Sequence, residues 1–75
     1  GLNKASCIII DLNKLSYMDS SGLGMLLNCY REVKAAGNEL RIVTDSPLVL
    51  ALFELVYLEK IVGVYKTLTE ATQAV

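Results

Sequence analysis

Asp11, Asp19, Ser20 and Ser21 are the side chains in this sequence whose types and spacing could do chemistry, and they fall within one short stretch that also holds Gly22 and Gly24. A pair of carboxylates can act as general acid and base, but that work needs convergent partners with tuned ionisation. The chain has no histidine and no glycine-rich GKS/T phosphate loop, so catalysis by Asp11 and Asp19 is not expected. A hydroxyl at the positive end of a helix can instead receive a phosphoryl group, because unpaired N–H groups of the first turn hold the added charge. On that reading Gly22 and Gly24 remove the side chains that would block a close approach by a kinase. A plainer reading of the same residues stays open: Ser20 or Ser21 caps a helix, and the glycines only permit tight packing against a strand. Cys7 and Cys29 form no CxxC pair and have no histidine partners, so neither a metal site nor a cofactor is expected. Both are read as buried thiols.

The elements that must position these residues can be read from the pattern around them. Residues 6–12 (SCIIIDL) hold a continuous apolar run with three isoleucines, the mark of a parallel strand covered on both faces. After a turn over residues 13–16, a helix is expected to begin near Ser21. Leu23, Leu26, Leu27, Tyr30 and Val33 recur at helical spacing, with Asn28, Arg31, Glu32 and Ala35 on the opposite side, and Gly37 supplies a left-handed stop. Residues 39–43 (ELRIV) form a second strand, and Ser46 with Pro47 opens a second helix that runs to about Val56. Residues 61–65 (IVGVY) form a third strand, and Thr67 and Glu70 at capping-box spacing open a last helix through Val75. Three alternations of strand and helix predict an α/β fold with a mostly parallel sheet.

Composition bounds the rest. The chain has 75 residues, 53% of them hydrophobic, with a formal net charge of −1. One domain over residues 1–75 is expected, with apolar side chains to spare for its core. Scattered charge gives no footprint for nucleic acid and no polybasic segment for a membrane surface, and no apolar stretch reaches the ~18 residues of a span. Without a disulfide framework or a secretory leader, a cytoplasmic location is expected. Gly1 in place of a methionine is read as the start of a segment or a processed product of something longer.

Residues 11–24, DLNKLSYMDSSGLG, resemble the signature of bacterial anti-sigma-factor antagonists of the STAS domain family. The likeness continues through the helix end at Gly37, the Ser46-Pro47 helix start, Leu52-Phe53-Glu54-Leu55 and Thr69-Glu70-Ala71. It implies a STAS-like α/β fold with helices packed mainly on one face of the sheet. It also implies a binding protein rather than an enzyme. The unphosphorylated antagonist binds an anti-sigma factor that is a serine kinase and thereby frees a sigma factor; phosphorylation releases it, and a serine phosphatase resets it. The modified serine follows the aspartate, which places it at Ser20, with Ser21 as second choice. The partner-binding stretch is then Tyr17, Met18, Asp19, Ser20, Ser21, Gly22, Leu23, Gly24 and Met25.

The chain departs from that family in two places. Relatives carry an N-terminal pair of strands and a helix ahead of residues 6–12, and these are missing here. If the sequence is complete, an open sheet edge and a swapped or edge-paired homodimer are expected; if it is a segment, the missing part restores an ordinary monomeric domain. Residues 48–58, from Leu48 to Leu58, are apolar nearly all round. Leu50 and Ala51 stand where relatives often carry basic residues, and Val56-Tyr57 stands in place of a glycine turn. A helix of this kind is normally buried, so its outer face is expected to meet a second subunit (a second candidate for a homodimer contact), the missing segment or a partner, the alternative being an apolar surface that faces solvent. Two other readings compete: a STAS module of a transporter, lipid-transport or stress-signalling assembly, and a nucleotide-binding domain. The intact Asp-Ser-Ser-Gly-Leu-Gly core speaks against the first, and the missing phosphate loop speaks against the second.

Overall fold

Apolar runs punctuated by helix caps organise the chain into alternating strands and helices. The computed structural model describes residues 6–73. Strands β1 (Cys7–Asp11), β2 (Glu39–Val43) and β3 (Gly63–Tyr65) form one parallel sheet in the order β1-β2-β3, with Ile10 opposite Ile42 and Ile42 opposite Val64. Helices α1 (Ser20–Ala35) and α2 (Pro47–Leu55) provide the crossovers, a 3₁₀ turn covers Leu58–Lys60, and α3 (Leu68–Gln73) follows β3. The expectation that the last helix reaches Val75 lies outside the described residues.

Alternation along β2 separates the two faces of the sheet, since successive side chains point to opposite sides. Leu40 and Ile42 face Leu23, Leu26 and Val33 of α1 and Val49 and Phe53 of α2, with Leu58 and Val62 closing the cluster. Phe53, Ile42 and Val49 are fully buried, and each such side chain contributes about 1.5–3 kcal/mol by leaving water. Arg41, between those core positions, points the other way and donates from Nη1 to the Ala71 carbonyl of α3 (2.6 Å). Its Nε lies 2.8 Å from Glu39, and this hydrogen bond raises the guanidinium pKa further above its ordinary value against a smaller lowering by burial. The two longer helices thus share one face, and a short helix touches the other.

The helix ends follow from local chemistry. Gly37 adopts φ 79°, and the Gly37 and Asn38 N–H groups donate to the Lys34 and Val33 carbonyls. This is a Schellman closure, in which a left-handed residue satisfies carbonyls that the helix leaves open. Ser46 caps α2 by accepting from Val49 N–H, with Pro47 next to it. Thr67 Oγ1 accepts from Glu70 N–H at the start of α3.

Four expectations need correction. The third strand begins at Gly63, not Ile61, because the Ile61 and Val62 N–H groups both donate to the Leu58 carbonyl and prolong the preceding turn. The first strand is not covered on both faces: β1 lies at the sheet edge, Ile8 is 38% exposed, and Ile9 and Ile10 are half-buried. Cys7, on the same edge strand, is exposed, and Cys29 is half-buried, so neither thiol is sealed inside. The all-round apolar stretch is only half used: Val49, Phe53 and Leu58 enter the core while Leu48, Leu55 and Tyr57 stay more than half exposed.

Candidate functional site

The site is built where β1 hands over to α1. Beyond Asp11 the chain turns back on itself through two local bonds, Asn13 N–H to Asp11 Oδ1 (3.0 Å) and Leu15 N–H to the Leu12 carbonyl (2.9 Å). It then runs over the ends of the other strands to reach Asp19. The Ser46 hydroxyl donates to the Ser16 carbonyl (2.9 Å), which fastens this loop to the cap of α2.

Asp19, not a serine, caps α1. Its backbone is extended (φ −95°, ψ −178°), its Oδ1 accepts from Gly22 N–H at 2.9 Å, and its carbonyl receives the first helical bond from Leu23. The helix begins within a residue of the expected start near Ser21, and the plainer reading in which Ser20 or Ser21 caps it is set aside. Asp, Asn and Ser are nearly equivalent at this position, and the first in the chain with extended backbone takes it. The consequence concerns Ser20. As the first helical residue it is exposed and its hydroxyl is not spent on capping, and Ser21 beside it is exposed as well.

The remaining residues of the stretch divide by direction. Tyr17 and Met25 are 64% and 73% exposed, Gly24 is exposed, and Met18 is half-buried beneath them. Leu23 turns inward to the core with Leu26, so it supports the exposed surface rather than forming part of it. The two glycines have different surroundings. A Cβ on Gly22 would lie 3.0 Å from Met18 Cγ, whereas a Cβ on Gly24 would meet nothing within 4 Å. Packing inside the chain accounts for Gly22 and leaves Gly24 without a reason. Beside this surface an open apolar groove is lined by Ile10, Leu12, Leu15, Met18, Met25 and Leu26.

Asp11 and Asp19 each accept a local backbone bond. Asp11 Oδ1 is engaged by Asn13 and Asp19 Oδ1 by Gly22. Among the described residues no cluster of histidine, cysteine, aspartate or glutamate could hold a metal ion, and no helix is long and apolar enough to cross a membrane. Two contributors escape a reading of the sequence, Asn13 and the hydroxyl of Ser46. The Asp-x-Asn spacing signals the local turn at residues 11–13, but nothing in the sequence marks the long-range bonds.

Comparison with known proteins agrees with this architecture. The family model described as STAS domain matches residues 2–71. The chain is 36% identical over 58 residues to the anti-sigma F factor antagonist of Paenibacillus polymyxa, covering 77% of this chain and 50% of that protein. It is 34% identical over 55 residues to the anti-sigma-B factor antagonist of Bacillus subtilis, covering 73% and 50%. A putative anti-sigma factor antagonist of Thermotoga maritima is 28% identical over 75 residues, which is 100% of this chain and 64% of the relative. The chain therefore spans about half to two thirds of the length of these curated relatives. No solved structure matches it significantly. With a family model covering nearly all of its residues and a parallel α/β sheet of the expected order of elements, the chain belongs to the STAS domain family.

Proposed function

We propose that this chain acts as an anti-sigma-factor antagonist whose binding to a serine-kinase anti-sigma factor is switched off by phosphorylation of Ser20. The observation that carries the proposal is the division between neighbours at the mouth of α1. Asp19 takes the cap, so the Ser20 hydroxyl stands exposed at the helix start with no structural bond to lose. Relatives named as antagonists of anti-sigma F and anti-sigma-B factors supply the class of partner.

The physics of the switch follows from position. A phosphate adds roughly −1.5 to −2 charges at pH 7, and N–H groups of the first turn can accommodate it without unfolding the helix. In a docked complex the same charge lies beside the Asp19 carboxylate in a desolvated interface, where like-charge repulsion and lost hydration cost on the order of several kcal/mol. Since about 1.4 kcal/mol is a tenfold change in affinity, a loss of ~3–4 kcal/mol releases the partner. Tyr17, Ser20, Ser21, Gly24 and Met25 form the docking face, and a partner phosphatase resets it. The protein itself carries out no reaction, and it works in the cytoplasm alongside the sigma factor its partner controls.

The test is incubation with ATP and a kinase-type anti-sigma factor encoded beside its gene, followed by mass spectrometry that distinguishes Ser16, Ser20, Ser21 and Ser46. Phosphate on Ser20 together with loss of the complex supports the proposal. Modification elsewhere, or a complex that survives modification of Ser20, overturns it.

A further inference from the structure

We infer that Asn13 is a positioning residue that holds the loop leading into Ser20 in register for its kinase. The inference rests on the reading of Ser20 as the modified residue and adds the element that presents it. Asn13 sits where all three strands end. Its N–H donates to Asp11 Oδ1 at the end of β1 (3.0 Å), its Oδ1 accepts from Asp45 N–H just beyond β2 (3.0 Å), and its Nδ2 donates to the Lys66 carbonyl just beyond β3 (3.4 Å). One amide side chain thus joins three loops that lie 32 and 53 residues apart in sequence. A side-chain amide suits the task because it offers an acceptor and a donor at once.

The loop over residues 12–19 has few other ties. Leu12 N–H donates to the Val43 carbonyl, and the Ser46 hydroxyl donates to the Ser16 carbonyl. Lys14, Leu15, Ser16 and Tyr17 are all exposed, so burial contributes little to holding them. A loop held by few bonds opens at low free energy, and each lost bond raises its open population. A kinase that must grip an open loop orders it on binding, which weakens binding and leaves the bound reaction alone. Asn13 therefore acts on recognition of Ser20 from a distance, through Asp45, Lys66 and the chain itself, and touches no reacting atom.

The experiment compares the parent with Asn13→Ala, Asn13→Asp and the control Lys14→Ala in two assays. The first is amide hydrogen exchange at Leu15 and Gly22, whose own acceptors are Leu12 and Asp19 rather than Asn13. Asn13→Ala should speed exchange at both by about fivefold, the effect of losing roughly one net hydrogen bond. The second is phosphorylation by the kinase that modifies the parent, where KM should rise by up to about fivefold with kcat unchanged, the full factor being reached when the open loop is the major state. Asn13→Asp keeps the acceptor for Asp45 but turns a carboxylate oxygen toward the Lys66 carbonyl, so it too should exchange faster than the parent; it also serves should the alanine variant fold poorly. Lys14→Ala should match the parent. Unchanged exchange at Leu15 and Gly22 overturns the inference, as does a loss confined to kcat. If no kinase modifies the parent, the reading of Ser20 fails while the exchange assay still decides whether Asn13 holds the loop.

Discussion

Replacing Gly24 with alanine should stabilise the domain and weaken its docking in one step. Gly24 lies inside α1, one turn beyond Ser20 and on the same face, since residues four apart stack along a helix. Glycine in a helix interior costs about 0.8–1 kcal/mol relative to alanine. Nothing within 4 Å meets the new Cβ, so no clash offsets that gain. For a domain of this size about 1 kcal/mol corresponds to a rise in Tm of roughly 4–8 °C, which a thermal melt followed by circular dichroism resolves. The same methyl group projects one turn along from Ser20 on the same helix face, within the surface proposed to meet the partner. Overpacking a close contact costs about 1–3 kcal/mol, and that weakens binding of the unphosphorylated chain by roughly 5- to 150-fold. Calorimetric titration against the anti-sigma factor measures it. A lowered Tm would reveal a structural duty for Gly24 inside the chain, and a raised Tm with unchanged affinity would show that the partner does not approach there. Either result refutes the reasoning.

Further outcomes follow from the same geometry. Ser20→Asp should abolish binding to the anti-sigma factor, with Tm unchanged or slightly raised because an acid in the first turn gains about 0.3–1 kcal/mol from the helix dipole; a variant that binds like the parent contradicts the switch. Asp19→Ala should cost about 1 kcal/mol through loss of the cap, while Asp19→Asn, which keeps an acceptor for Gly22 N–H, should cost little in the same urea titration. Tyr57 adopts φ 61° at the end of α2, where a non-glycine residue carries about 1–2 kcal/mol of strain. Tyr57→Gly should therefore raise Tm despite the added freedom of the unfolded chain, and a fall in Tm would mean that the Tyr57 ring makes contacts worth more than its strain. Phe53→Ala, which empties the centre of the core, should cost about 3–5 kcal/mol and leave little folded protein at 37 °C.

The elements whose physics is local are legible from the sequence, and those decided by tertiary context are not. The periodicity of Leu23, Leu26 and Val33 locates α1 and its inner face because amphipathic spacing reflects burial directly. Gly37 marks its end because only a left-handed residue closes a Schellman motif there. The triple isoleucine of β1 misleads, because an apolar run reports the surroundings a strand was selected for, and the edge position leaves that surface uncovered among the described residues. The third strand loses Ile61 and Val62 to a turn closed on the Leu58 carbonyl, a competition between two backbone acceptors that no propensity resolves. The stretch from Asp19 to Gly24 is visible as a helix mouth, yet three adjacent residues can all cap a helix, and only backbone geometry shows that Asp19 does. Asn13 is invisible as a tie because its partners Asp45 and Lys66 are distant in sequence and contribute backbone atoms of no particular residue type.

A residue that both capped the helix and carried the phosphate would couple signalling to stability, because modifying it would replace the capping hydroxyl with a charged phosphate at the positive end of the helix. Capping bonds of this kind are worth about 1 kcal/mol, a sizeable part of the 5–15 kcal/mol that keeps a domain folded. Placing the cap on Asp19 and the free hydroxyl on Ser20 separates the two duties by one residue. Asp19 cannot be phosphorylated by a serine kinase, and Ser20 has no side-chain bond to break. On the proposed switch, charge added at Ser20 would act on the exposed surface, while Gly22 N–H keeps its acceptor and α1 keeps its start. Exchanging the pair by the double change Asp19→Ser with Ser20→Asp tests this directly. The serine introduced at the cap would still accept from the Gly22 amide, but its phosphorylation should then shift Tm, because the modified oxygen is the one that holds the first turn, whereas phosphorylation of Ser20 in the parent should leave Tm nearly unchanged.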